Sequence, residues 1–337
     1  MAADYTRVVS LREDIDRHVA GNVGTYCPKD PNWREALLPL DPRSLFNRQE
    51  QRMHEIARGY SRPGVVIFAV HTSYGMRGHL WLEATAQLRA GSIGRHSNVD
   101  LHLPDDDELS LRHLLVLVDG YAGVPRVHVL DLATPNGFMA ENDKVVRGLM
   151  ANGFFVFSAA QILFFAVPTG VPPPWDGESG NPWSTLPPRK MTRAVRPKHP
   201  PRRRRQVSTR KPVTRVSVID GPIDSESGVP RAPGEPVVGC LTLTDEDREE
   251  DLLLGDSALK RGVVLGRYDR CAGHAAAGYN VSRVHAVLAE VYGRVHLIDA
   301  GSTNGIVVEE NQVKCAPIVE EQTYSLGSMR LTWERGH

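Results

Sequence analysis

At 337 residues, 41% of them hydrophobic and 24% charged, the chain has the apolar content of a folded protein and the length of about two domains. Lys plus Arg and Asp plus Glu balance at 40 each, so no net field draws the whole chain to nucleic acid or to a membrane. Cys27, Cys240, Cys271 and Cys315 form no C-x-x-C pair and no metal-ligand spacing, which argues against a disulfide scaffold or a metal centre and for reduced thiols.

The N-terminus, MAADYTRVVSLREDIDRH, spreads its charges and lacks the apolar segment of a signal peptide, so a cytoplasmic location is expected. Residues 1–64 read as an extension in which Leu45–Tyr60 has the pattern of one short amphipathic helix. From Val65 to Pro168 the apolar runs are short and strand-like: VVIFAV, LWLEATAQL, LLVLV, RVHVLD and ILFFAV. The most apolar stretch, Phe154–Val167, is too short to span a bilayer, which takes about 20 residues, and reads as two consecutive strands.

Residues 169–236 change character. PPPW, PPRK and PPRRRR occur there with almost no apolar runs, and Arg189–Arg215 has many cations and no acid, so a semi-extended basic linker is expected. Strand-like runs resume over 237–335: VVGCLTLT, VVLGR, HAVLAEV, VHLID, GIVV and MRLTW. An acidic run, Asp245–Asp251, reads as an early loop of this second domain.

The two strand-rich regions repeat one another. VVIFAV at Val65 lies 172 residues before VVGCLT at Val237. At the same offset Gly94-Arg95 matches Gly266-Arg267, and Ser110-x-x-His113 matches Ser282-x-x-His285. The offset then becomes 168, and Asp131 matches Asp299 while Asn136-Gly137 matches Asn304-Gly305. The change falls in Asp119–Pro125, whose turn chemistry tolerates insertion. Two all-β domains, each an antiparallel sandwich or barrel, are therefore expected.

A G-R pair, S-x-x-H and N-G are each commonplace alone: a strand end, a braced turn and a hairpin turn. All three occur in the same order in both copies, with 15 residues from Arg to Ser each time, which coincidence does not explain. Together they suit capture of a phosphate dianion, which calls for a guanidinium and short hydroxyl or amide donors on rigid loops.

Over 237–335 the chain resembles the forkhead-associated (FHA) family, whose signature is G-R, S-x-x-H and N-G on three loops; 65–168 resembles it less closely. The resemblance implies that Arg267 and Ser282 contact the phosphate of a phosphothreonine peptide, helped by Arg283 and Thr303, while Asn304 holds the peptide backbone. It implies structural roles for Gly266, His285 and Gly305. In the first copy Arg95, Ser110 and Asn136 form a possible second phosphopeptide site, and Gly94, His113 and Gly137 its structural counterparts. That copy departs from the pattern: Ala133-Thr134-Pro135 replaces Gly301-Ser302-Thr303, and Leu111 replaces Arg283.

No P-loop, GxSxG elbow, kinase motif set or zinc helix is present (Arg58 stands where His54-Glu55 would need a second His), so no enzyme, cofactor or metal is expected. The expected activity is that of an adaptor reading Thr-phosphorylated partners of a Ser/Thr kinase, or the kinase itself. Ser208, Thr209, Thr214 and Ser217 follow the basic run, where a kinase could act, and a modified Thr209 or Thr214 could dock intramolecularly. The alternatives are a DNA-associated regulator using the linker cations, and a phosphate-independent structural or secretion scaffold.

Overall fold

The computed structural model describes residues 6–10, 41–120, 125–175, 180–193, 213–219, 234–246, 248–291 and 293–336. The first sandwich is built from β1 (Thr6–Ser10), α1 (Pro42–Arg58), β2 (Gly64–His71), β3 (Gly75–Glu83), β4 (Arg89–Gly94), β5 (Leu101–His102), β6 (Leu114–Asp119) and β7 (Arg126–Asp131). It continues through β8 (Phe138–Ala140), β9 (Val145–Val146), β10 (Gly148–Ala151), β11 (Phe155–Ala159) and β12 (Ile162–Thr169) to α2 (Pro182–Thr185), β13 (Arg189–Arg193) and β14 (Thr214–Ile219). Its sheets run β1-β3-β2-β12-β11-β8-β9 and β13-β14-β10-β7-β6-β4-β5.

The unbroken apolar runs of β2 and β12 have a physical reason: both faces of their sheet are covered. Val65, Ile67 and Ala69 of β2 enter the core between the sheets, with Val116, Val129, Phe157 and Phe164. Val66, Phe68 and Val70 turn the other way and pack under α1. Helix α1 starts at Asp41, whose carboxylate accepts the amides of Arg43 (3.1 Å) and Ser44 (3.2 Å), with Pro42 at the first helical position. It inserts Phe46, whose ring meets Phe154, Trp175 and Trp183 at centroid distances of 5.6, 5.2 and 5.5 Å.

The segment expected to be a linker contributes to this sandwich. Trp175 and Leu186 are buried beneath α1, and Arg189 forms an ion pair with Glu141 at 2.7 Å. Strand β14 pairs antiparallel with β10 and parallel with β13, carrying Val216 and Val218 into the core. Thr214, expected to be an accessible phosphorylation site, is buried in that strand. Alternation of Thr, Val and Val with Arg and Ser outweighs the basic composition here, because a strand needs only one apolar face to join the core. Arg202–Arg205, Ser208 and Thr209 lie outside the described residues.

The second sandwich comprises β15 (Val237–Asp245), β16 (Arg248–Gly255), α3 (Asp256–Arg261), β17 (Val263–Leu265), β18 (Ala286–Val291) and β19 (Arg294–Asp299). It ends with β20 (Ile306–Val308), β21 (Asn311–Val313), β22 (Cys315–Pro317), β23 (Tyr324–Leu326) and β24 (Met329–Arg335). Its sheets run β16-β15-β24-β23-β20-β21 and β17-β18-β19-β22. The acidic run is not a loop: Asp245 ends β15, and Arg248–Asp251 begin the edge strand β16. Asp245 is buried and accepts the Gly278 amide at 2.6 Å and the Ser328 hydroxyl at 3.1 Å.

The sandwiches are joined by a shared apolar layer. Leu115, Leu117, Leu130 and Leu132 of the first pack with Val287, Ala289, Ile298 and Ala300 of the second. These are the same positions in the two copies, at offsets of 172 for the first two pairs and 168 for the last two. Period-2 alternation explains the fully apolar LLVLV of β6: Leu114, Val116 and Val118 fill their own core, while Leu115 and Leu117 face the neighbour.

Candidate functional site

Three loops at one end of the second sandwich are tied together by His285. Its backbone N–H donates to the Leu265 carbonyl at 2.8 Å, which sets Gly266-Arg267 beside Ser282-Arg283. Its Nδ1 accepts the Ser282 amide at 3.1 Å, and its Nε2 lies 2.8 Å from the Gly305 carbonyl. An Nδ1 that accepts and an Nε2 that donates describe one neutral tautomer. Burial pushes the His285 pKa down and keeps the ring in that state. Gly266 is required by close approach: a Cβ there would overlap the Arg283 carbonyl.

Asp299, at the end of β19, shapes the third loop by accepting the amides of Gly301 (3.1 Å) and Ser302 (3.0 Å). The Ser302 hydroxyl then accepts the Gly305 amide at 2.9 Å. On this frame the Thr303 amide donates to Ser282 Oγ at 3.1 Å, leaving the Ser282 hydroxyl hydrogen available for an acceptor. Asn304 Nδ2 donates to the Asn280 carbonyl at 2.8 Å, and Gln312 Nε2 to the Asn304 carbonyl at 3.3 Å.

Arg267 follows directly, its amide bonded to the Ser282 carbonyl at 3.2 Å, while the Tyr268 amide holds the Arg283 carbonyl at 3.0 Å. Arg267, Arg283, Thr303 and Asn304 are exposed and Ser282 is half-buried. Among the described residues, neither Arg267 nor Arg283 is ion-paired with an acid. Two cations, a hydroxyl and a carboxamide on braced loops make a surface that can take an anion and a peptide backbone.

The first sandwich repeats the frame. His113 donates its amide to Ile93 O (2.9 Å), accepts the Ser110 amide at Nδ1 (3.1 Å), and sets Nε2 2.9 Å from Gly137 O. Asp131 accepts the Thr134 amide at 3.1 Å, and Thr134 Oγ1 accepts the Gly137 amide at 3.1 Å. A Cβ on Gly94 would overlap Leu111 O, as one on Gly266 would overlap Arg283 O. The polar surface on this frame differs. Arg95 is bound to its own chain, Nε to Leu109 O at 2.6 Å and Nη1 to Asp107 at 3.5 Å. Pro135, at the place of Thr303, has no N–H to offer Ser110.

Asp107, which pairs with Arg95, was not singled out in the sequence; the run DDDE over 105–108 was the available signal. Asp299, Ser302, Asn280 and Gln312 also brace the site, and only Asp299, which recurs as Asp131, was marked by the repeat. Among the described residues, no group of three or more His, Cys, Asp or Glu side chains is arranged to hold a metal ion, and no helix is long and apolar enough to cross a membrane.

Fold and loops together define a β-sandwich with an arginine- and serine-bearing loop end. Residues 263–327 match the FHA domain family. No curated protein matches the chain. Among solved structures, Rv1747 FHA-1 of Mycobacterium tuberculosis is 28% identical over 30% of this chain and 99% of that one, with a TM-score of 0.24. Mycobacterium tuberculosis EmbR, in complex with a low-affinity phosphopeptide, is 19% identical over 29% of this chain and 24% of that one, TM-score 0.23. The FHA domain of CT664 from Chlamydia trachomatis is 20% identical over 29% of this chain and 99% of that one, TM-score 0.24.

Proposed function

We propose that the second sandwich binds phosphothreonine peptides and that the chain is an adaptor in Ser/Thr kinase signalling. The observation that carries this reading is the exposed Arg267, whose side chain is unpaired with any described acid and whose amide bonds the carbonyl of Ser282, the residue whose Oγ accepts the Thr303 amide. Arg267 and Ser282 take the phosphate, Arg283 and the Thr303 hydroxyl assist, and Asn304 holds the peptide backbone. FHA domains are among the modules that capture phosphorylated motifs with an arginine site. Binding is the output, and the partner is a Thr-phosphorylated substrate of the kinase or the kinase itself.

The first sandwich, in this reading, binds no phosphate. Arg95 already has an anionic partner in Asp107, which an incoming dianion would have to displace. Its work is phosphate-independent packing against the second sandwich.

The test is titration of the full chain with a phosphothreonine peptide library, beside phosphoserine and unphosphorylated versions and the Arg267→Ala variant. Selective binding that is lost with the phosphate or with Arg267 supports the reading. Equal binding of unphosphorylated peptide, or none at all, overturns it.

A further inference from the structure

The junction between the sandwiches holds a buried cation that reaches the anion-binding end of the second. Arg112, 9% exposed, donates from Nε and Nη2 to the Gly301 carbonyl at 2.9 and 2.6 Å. Its counterpart in the second sandwich is Val284, which packs in the apolar junction. The contact is therefore no part of the repeat and runs in one direction only.

Gly301 is held on every side by specific groups. Its φ is +81°, and a Cβ there would stand 3.0 Å from Asn98 O and 3.1 Å from Ser92 Oγ. Ser92 is fixed by Asp100, which accepts its amide at 2.7 Å and its hydroxyl at 2.8 Å. Asp100 also binds Lys314 Nζ at 3.0 Å, and the Lys314 carbonyl accepts the Asp299 amide at 2.9 Å. Asp299 thus grips the Gly301 amide from within the second sandwich, while Arg112 grips the Gly301 carbonyl from the first. Two residues further on, the Thr303 amide meets Ser282 Oγ. Without the outer grip, the Gly301–Ser302 peptide keeps only its Ser302 amide bond to Asp299 at 3.0 Å, in a loop with Gly at 301 and 305.

We propose that Arg112 is a positioning residue. By fixing the Gly301 carbonyl it holds the loop through Gly305 in the pose that presents Thr303 and Asn304, so the phosphothreonine affinity of the second sandwich depends on a side chain of the first. The clause on affinity rests on the phosphothreonine reading above; the clause on loop order does not.

The experiment compares full-length wild type, Arg112→Met and Arg112→Lys by amide hydrogen exchange of the free proteins and by phosphothreonine-peptide titration. Met keeps the length and removes the donors; Lys restores one. Expected are faster exchange at Gly301–Gly305 in Arg112→Met with β18 and β19 unchanged, peptide binding weaker by roughly 3- to 30-fold, and partial recovery of both in Arg112→Lys. Loop exchange in Arg112→Met equal to wild type overturns the proposal. A loosened loop with unchanged peptide affinity overturns its affinity clause. Wild type that binds no phosphopeptide, with a loop that still loosens in Arg112→Met, overturns the phosphothreonine reading and supports the positioning role.

Discussion

Arg95 Nη1 lies 3.5 Å from Asp107, and the second sandwich carries Tyr279, 172 residues on, where the first carries that aspartate. Asp107 is 99% exposed on its side chain and Tyr279 is 97% exposed, so neither position is set by packing. Arg95 thus has an exposed anionic partner at a position where the second sandwich carries a neutral residue. The two loop ends also differ at Leu111 against Arg283 and at Pro135 against Thr303, while the histidine-centred hydrogen bonds are the same in both.

Arg267→Ala is expected to weaken phosphothreonine-peptide binding by roughly 10- to 100-fold, as loss of charge-assisted hydrogen bonds of ~1.5–3 kcal/mol implies. Melting temperature should not change, because the side chain is exposed. Arg95→Ala should leave affinity unaltered. Calorimetric titration of the full chain should give one peptide per chain; two equivalent sites would show that the Asp107 pairing opens readily.

Separating the sandwiches should expose the shared apolar layer. A fragment of residues 237–336 would present Val287, Ala289 and Ile298 to water, and self-association in light scattering is the expected outcome. In the full chain Leu130→Ala should cost ~2–5 kcal/mol in urea unfolding, as for other large-to-small changes in a packed interior. A fragment that stays monomeric and as stable as its parent would contradict this.

His128 is fully buried, and burial drives its pKa down to about 4 from the usual 6.5. The folded state therefore keeps it neutral where the unfolded chain takes up a proton. Its contribution is complete above pH 6.5 and falls away as pH drops toward 4, with a loss of about 3 kcal/mol there. His128→Leu should flatten the stability profile between pH 6.5 and 4 in chemical denaturation. An unchanged slope would mean the acid sensitivity lies elsewhere.

Thr214 should resist phosphorylation in the folded protein, since it is buried in a strand bonded on both sides. Thr214→Glu is expected to lower stability by several kcal/mol rather than to mimic a docking ligand, because it places an unpaired carboxylate in an apolar interior. Mass spectrometry after kinase treatment of native and denatured chain distinguishes the two cases.

The strand-forming runs VVIFAV, LLVLV, RVHVLD, ILFFAV and VVGCLTLT coincide with β2, β6, β7, β12 and β15, because apolar density and β-branching dominate there. Strands β13, β14 and β16 were hidden by charge: each is at or near a sheet edge, where half of the side chains may be ionic. The signature loops were legible because their glycines and histidines answer to local backbone geometry. Arg112 was not, since its partner lies 189 residues away and no spacing rule reaches that far. The Asp107 pairing was hidden for the opposite reason, as an acidic surface loop ordinarily means only solvation.

The apolar layer joining the sandwiches has a consequence for assembly. Because corresponding strands supply both halves of it, the chain behaves as a dimer concatenated into one polypeptide, with each half satisfying the other. Such a face-to-face union is closed: once the two copies meet, this surface is consumed. Stacking through it therefore terminates at two sandwiches and cannot propagate into a filament.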